Sequence, residues 1–332
     1  MDSWLIVLIV ATVVTLLVLG RILDENITQP YHAKEGFTGE AGAKEVSFDD
    51  VKGAVPESSG TVQWLDNEAL YDSFYASVYD QLTQGSVRTQ AEVGLMLHEW
   101  TKQGEDLKTF EVLDVGCGTG IATAALAKIG CKKVVGMDAS EAMIQQAKTV
   151  TIPQSTLTEE QKGKIQWLMK DAMHPSAAKA GEFSHTFLMY FTVYYIGDKE
   201  ALFRNLFLWT KPGGKLVVGV VNKHKFDPLL DSASPFSFSL QKYSKQRLTK
   251  SEVAFTNFKY TGEFDLQDPG AEYRETFRFP NKTIRRQRHT FRMEDINTIV
   301  GYAKAAGWTY TGFVDLVTVG FEYGYHLHFR KS

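Results

Sequence analysis

Cysteine is scarce in these 332 residues, basic charge has no excess, and no phosphate loop of the GxxxxGK[ST] type occurs. Each absence removes a class of protein. Two cysteines, Cys117 and Cys131, supply neither a disulfide framework nor a metal-ligand spacing, so no metal is expected and a reducing compartment fits best. A net charge of -3 argues against a main partner made of phosphate backbone, and no nucleic acid is expected. Without a Walker-type loop, phosphate-cradling chemistry has no support. The remaining composition, 44% hydrophobic and 23% charged, suits one large globular domain with extra parts and carries no mark of disorder.

The one long apolar run lies at the start. From Trp4 to Gly20 no charged residue interrupts the chain, a length at the short end of what spans a bilayer, with Trp4 and Arg21 placed for the two interfaces. The preceding Met-Asp-Ser offers no positive region and no small-x-small site follows, which favours an uncleaved anchor over a signal peptide. Arg21 and Lys34 after the span, against Asp2 before it, orient the rest of the chain to the cytosol. Occupied sequons at Asn26 or Asn281 would contradict that orientation. The expected layout is a transmembrane anchor at 1–23, a polar flexible tether at 24–60 and a catalytic domain at 61–332.

Within that domain, residues 65–82 and 87–102 space their apolar side chains as two amphipathic helices. Short apolar runs follow at 110–115, 133–138, 165–169, 183–189 and 216–221, alternating with helical segments at 121–129, 141–150 and 199–209. Strands alternating with helices predict βαβ units and a parallel sheet covered on both faces. Residues 223–291 break this rhythm with aromatic and Thr-rich alternation at 255–264, 272–279 and 283–291, read as an antiparallel insertion that covers the site. A helix over 294–306 and strands over 310–316 and 321–329 end the chain.

Chemistry should sit where parallel strands end. Asp114, Gly116, Gly118 and Gly120 form D-x-G-x-G-x-G at the first βα turn, where missing Cβ atoms let a ligand approach the backbone. The position of the last glycine departs from the dinucleotide fingerprint. Asp138, followed by Ala139, ends the second strand, where a carboxylate can accept two ribose hydroxyls or cap the next helix, a task Ser140 could also take. Asp171 and Ala172 end the third, with an adenine contact and a purely structural role equally open. Tyr190, Tyr194 and Tyr195 follow the fourth, either shaping a pocket or packing strand on helix; aromatic faces there could also surround a cationic amine. His289, in the basic run 285–291, is the candidate base, since imidazole titrates near neutral pH.

Taken together, VLDVGCGTG, GMDAS, KDA and TKPGGKLVV, in that order and spacing, resemble class I S-adenosylmethionine-dependent methyltransferases over about residues 65–330. The resemblance implies a Rossmann-like seven-stranded, mostly parallel α/β sheet and S-adenosyl-L-methionine as cofactor. It implies that Gly116 to Gly120 cradle the methionine part, Asp114 holds its amino group, Asp138 binds ribose, and Asp171 with Ala172 meets adenine. Tyr79 matches the tyrosine many members place over the cofactor, with a plain core aromatic as the alternative. The sequence lacks the Asn-Pro-Pro-Tyr motif and the Pro-Cys nucleophile with which relatives methylate nucleobases.

These readings converge on a membrane-anchored methyltransferase with a small-molecule or lipid-associated acceptor, for which Tyr190, Tyr195 and His289 are the acceptor-side residues. A methyltransferase of membrane-proximal proteins and a non-catalytic cofactor-binding scaffold are the alternatives.

Overall fold

The computed structural model describes residues 62–83, 85–102, 104–228 and 247–332. The expected anchor and tether lie outside them, and no helix among the described residues is long and apolar enough to cross a membrane.

Seven strands form the larger sheet: β2 (Glu111–Val115), β3 (Lys133–Asp138), β4 (Ile165–Met169), β5 (Phe183–Leu188), β6 (Thr210–Val221), β11 (Trp308–Asp315) and β12 (Gly324–Lys331), in the order β11-β12-β6-β5-β2-β3-β4. The pairs β2 with β3 and β5, β3 with β4 and β5 with β6 are parallel. The last hairpin, β11 and β12, joins β6 antiparallel, so the sheet is mixed. Alternation explains how each strand serves two cores. Val112, Val134, Phe187 and Val217 pack on one face, while Leu113, Val135, Leu188 and Val218 pack on the other. Strands buried on both faces read as near-continuous apolar runs, which is why the sequence located them closely.

The smaller sheet comprises β1 (Val62–Asp66), β7 (Lys250–Ala254), β8 (Lys259–Gln267), β9 (Gly270–Arg278) and β10 (Ile284–Arg292), ordered β1-β10-β9-β8-β7. The insertion is antiparallel throughout β7 to β10, as expected, and β1 adds to it in parallel. That last strand corrects the helix expected over 65–82. The chain is extended through Asp66, makes one short turn at Asn67–Leu70, bends at Tyr71 and Asp72, and becomes helical at α1 (Ser73–Thr83). The physical cause is pairing: Trp64, Leu65 and Asp66 register with Arg286, Gln287 and Arg288, partners that helical periodicity cannot see. Helix α2 (Gly85–Lys102) then leads to β2.

Arg285 fastens the two parts of this region. Its guanidinium is buried, donates to Asp72 Oδ2 (2.6 Å) and the Leu70 carbonyl (2.9 Å), and lies over the Phe74 ring. Phe74, Leu70, Val78 and Leu82 pack there against Tyr260 and Phe277 of the small sheet and Phe258 of the turn before β8.

Candidate functional site

The carboxyl ends of β2, β3, β4 and β5 open onto one cavity of about 650 Å³, whose opposite wall is the small sheet and α1. Of the sequence-derived residues, Tyr79, Asp114, Gly116, Gly118, Asp138, Ala139, Asp171, Ala172, Tyr190, Tyr195 and His289 all line it. Gly120 does not line it and instead supports the loop from behind.

The loop after β2 is built by left-handed backbone: φ is +68° at Gly116, +54° at Gly118 and +82° at Gly120. A Cβ on Gly120 would lie 2.7 Å from the Trp167 ring, so this position demands glycine for both conformation and space. A Cβ on Gly118 would meet no protein atom, because the space beside it is the cavity. Behind the loop begins α3 (Ile121–Lys128), buried along nearly its whole length. Its Thr123 donates to Asp114 Oδ2 (2.7 Å).

Asp138 ties the second strand to the loop. Its Oδ2 accepts from the Gly118 N–H and its Oδ1 from the Ser140 N–H, both at 2.9 Å. The helix that follows, Glu141–Gln146, is capped by Ser140, whose Oγ accepts from Met143 N–H at 3.1 Å. The cap and the strand-end acid are therefore different residues, and Asp138 retains lone pairs for a ligand. Asp171 is exposed at the rim, accepting from Met173 N–H (2.8 Å) in its own turn.

Sequence reasoning missed Asp80. It lies one residue beyond Tyr79 on α1, lines the cavity, and accepts from Thr119 of the glycine loop at 2.5 Å. Burial pushes both Asp80 and Asp114 up to about 6, against the hydrogen bonds from Thr119 and Thr123. Burial likewise raises Asp138. Carboxylates gathered around one loop suit it to a cationic ligand.

On the acceptor side the tyrosines separate. Tyr194 is fully buried and leaves the cavity: its hydroxyl accepts from Val221 N–H (2.9 Å) and donates to the Val221 carbonyl, a packing role. Tyr190 sits just beyond β5 with φ of +53°, its hydroxyl bonded to Thr89 of α2 and its ring beside Arg88. Arg88 in turn pairs with the buried Glu92, which also meets His326 of β12 at 3.0 Å. Burial alone would raise Glu92, but Arg88 and His326 outweigh it and hold it at about 2.

Tyr195, in the short helix Thr192–Tyr195, meets His289 of β10: its hydroxyl lies 2.5 Å from Nδ1. The other ring nitrogen, Nε2, lies 2.6 Å from Oε2 of Glu275 on the neighbouring strand β9, with the Tyr75 hydroxyl at 3.3 Å. Glu275 is buried and accepts further from Tyr260 (2.7 Å) and Gln287 (2.6 Å). Burial pushes Glu275 up, yet His289, Tyr260 and Gln287 outweigh this and keep it below the usual carboxylate range. Burial pushes Tyr71, Tyr75 and Tyr195 well up, so all three hydroxyls stay protonated near neutral pH. A strand pattern of Arg285, Gln287, His289 and Phe291 facing inward was the available signal for Glu275: three polar side chains on a buried face need partners on the adjacent strand.

Strand order and strand-end acids define a Rossmann-like methyltransferase fold. Residues 112–214 match the family model described as a methyltransferase domain. Ubiquinone biosynthesis O-methyltransferase of Coxiella burnetii is 32% identical over 126 residues, 38% of this chain and 50% of that protein. Phosphoethanolamine N-methyltransferase 1 of Triticum aestivum is 34% identical over 117 residues, 34% of this chain and 21% of that protein. The chain thus spans half or less of the length of these curated relatives. An S-adenosylmethionine-dependent methyltransferase from Clostridium acetobutylicum superimposes with a TM-score of 0.57 at 16% identity, over 77% of this chain and 97% of that one. A SAM-bound amino pentose methyltransferase from Micromonospora echinaspora gives a TM-score of 0.52 at 17% identity, over 80% and 100%. Residues 112–214 thus resemble a methyltransferase domain, carried on a fold shared with solved S-adenosylmethionine-dependent methyltransferases.

Proposed function

We propose that this protein transfers a methyl group from S-adenosylmethionine to a small-molecule acceptor held in the aromatic half of the cavity. One observation carries this reading: the glycine loop and the acids Asp80, Asp114 and Asp138 line one side of a cavity whose other side presents Tyr195 and His289. The residues fit the cofactor. The open space beside Gly118 admits a ligand against backbone, Asp114 and Asp80 suit its ammonium, Asp138 its ribose, and Asp171 with Ala172 its adenine. Tyr79 lies over this half, its hydroxyl kept protonated by burial.

When bound, the cofactor supplies an electrophilic methyl on a sulfonium. The protein's task is to hold an acceptor about 3 Å from that methyl, in line, and to exclude water. Phe226, Phe264, Phe291 and Ile196 give the chamber an apolar lining, while Tyr195 and His289 give it a polar corner. Tyr190 has its hydroxyl committed to Thr89, which suits it to shaping the floor between the two halves.

Residues 1–23 place the enzyme on a membrane in this reading, with the catalytic domain facing the cytosol and a lipid-associated acceptor within reach. Calorimetric titration with S-adenosylmethionine tests the cofactor half: binding at micromolar concentration is expected, and no binding would reject the enzyme. Incubation with methyl-labelled cofactor and a membrane-plus-cytosol extract tests the acceptor half, with label expected in small solutes or lipid. Label confined to protein would overturn the small-molecule acceptor.

A further inference from the structure

Behind the cavity wall the small sheet carries a buried hydrogen-bonded chain that methyl transfer to a ready nucleophile would not need. Nucleophiles already bearing a free lone pair require only orientation; a neutral hydroxyl must also lose its proton. Glu275 contributes nothing to the cavity lining, yet it is fully enclosed and takes three hydrogen bonds, from His289 at 2.6 Å, Gln287 at 2.6 Å and Tyr260 at 2.7 Å. Its anionic oxygen against Nε2 requires that nitrogen to carry the proton, and Nδ1 is then the basic one. Nδ1 faces the hydroxyl of Tyr195 at 2.5 Å, and the Tyr71 ring lies edge-on to that of Tyr195 with centroids 6.0 Å apart; both tyrosines line the cavity.

We propose that Glu275 is a positioning residue that fixes His289 with Nδ1 unprotonated towards Tyr195, and that the acceptor is a hydroxyl compound deprotonated through this chain. The inference rests on the methyltransferase reading above. The acceptor oxygen forms its bond to the methyl carbon as the methyl–sulfur bond breaks, its electron pair passing to sulfur. The acceptor's proton passes to Tyr195 as Tyr195 gives its own to His289 Nδ1. The resulting imidazolium is balanced by Glu275, so charge moves without leaving a buried cation unpaired. The groups facing His289 are Glu275 and Tyr273 from β9, Tyr195 from the helix after β5, and Tyr71 and Tyr75 from the region of α1. Among these, Glu275 is the carboxylate and the rest are tyrosines.

The test combines a tautomer measurement with the chemistry of the product. Long-range ¹H–¹⁵N spectra of the full chain labelled at histidine, with His289 assigned by its loss in His289→Gln, should show Nε2 protonated and Nδ1 bare near neutral pH. In Glu275→Gln the imidazole should lose that tautomer preference, alongside a fall in kcat of tenfold or more. If Glu275→Gln fails to fold, Tyr195→Phe serves: it should lower kcat at least tenfold while leaving the His289 tautomer and cofactor affinity unchanged. In the labelled-extract experiment the methyl should be found on oxygen. A bare Nε2 in the wild-type protein, or label on nitrogen or sulfur, would overturn the proposal. Calorimetry on the same samples separates this from failure of the methyltransferase reading itself, which would show as no cofactor binding.

Discussion

The two sheets of this protein bury different things. In the seven-stranded sheet the buried positions of β2, β3 and β5 are mostly Val, Leu, Met and Phe, with Asp114 near the end of β2 and His185 and Thr186 the buried polar side chains of β5. In the five-stranded sheet the inward face of β10 is Arg285, Gln287, His289 and Phe291, and that of β9 is Ala271, Tyr273, Glu275 and Phe277. Apolar burial is non-directional and tolerant of small shifts, whereas a buried polar network holds its members in one arrangement because each lost bond leaves a costly orphan. The first sheet is therefore mainly an apolar scaffold with its acids at the edge, and the second holds a polar network inside its own fold.

Breaking each sheet at its centre should show this difference most strongly. Leu113→Ala removes a fully buried side chain from the apolar sheet, and about 3–4 kcal/mol of stability should be lost as a cavity opens, read from the urea midpoint. Arg285→Met exchanges a buried guanidinium for an apolar chain of similar length. Asp72 stays partly hydrated and is not fully orphaned, so the cost should be about 2–3 kcal/mol, short of what an enclosed pair would lose. If Arg285→Met cost more than Leu113→Ala, the apolar sheet would not be the main source of stability. A matching pair of salt titrations should leave the first variant's deficit unchanged and alter the second's.

The contrast also explains what the sequence disclosed. Strands β3 and β4 and the helix Lys199–Trp209 were legible to the residue, since apolar runs between helical segments leave few other solutions. The glycine loop and Asp138 were legible because left-handed backbone calls for glycine and Asp138 closes the loop through the Gly118 N–H. Strand β1 was not legible: its only reason to be extended is β10, more than 200 residues away, and its own periodicity suits a helix. Glu275 was hidden for the same reason, because a glutamate in an alternating strand reads as solvent-facing until the polarity of its neighbour's buried face is known. Asp80 was hidden because nothing in α1 announces that Thr119 will come to it.

At the edge of the large sheet, Asp138→Ala should weaken S-adenosylmethionine between ten- and a hundredfold by calorimetry, about 1.4–2.8 kcal/mol, through loss of both its ligand bonds and its hold on the Gly118 N–H. The urea midpoint should move little, since Ser140 supplies the helix cap. A large loss of stability with unchanged affinity would assign Asp138 to the fold and remove it from the site.

The smallest effect separates site from scaffold by its sign. Asp80 and Asp114 have folded-state values raised by burial to about 6, above the ordinary carboxylate value they would have in the unfolded chain. Between those limits the folded state binds more protons than the unfolded one, so the contribution of these two groups to stability grows as pH falls from above 6 and shrinks as pH rises through the window. Affinity for a cationic cofactor runs the other way, because only the ionised carboxylates attract it. Below pH 6 the dissociation constant should rise by about tenfold per unit for one required carboxylate, while the urea midpoint shows no parallel drop from these residues. An Asp114→Asn variant should flatten that slope towards the contribution of Asp80 alone. Affinity that stays level from pH 7.5 to 5 would mean that neither acid meets the ammonium, and that both serve the architecture of the loop.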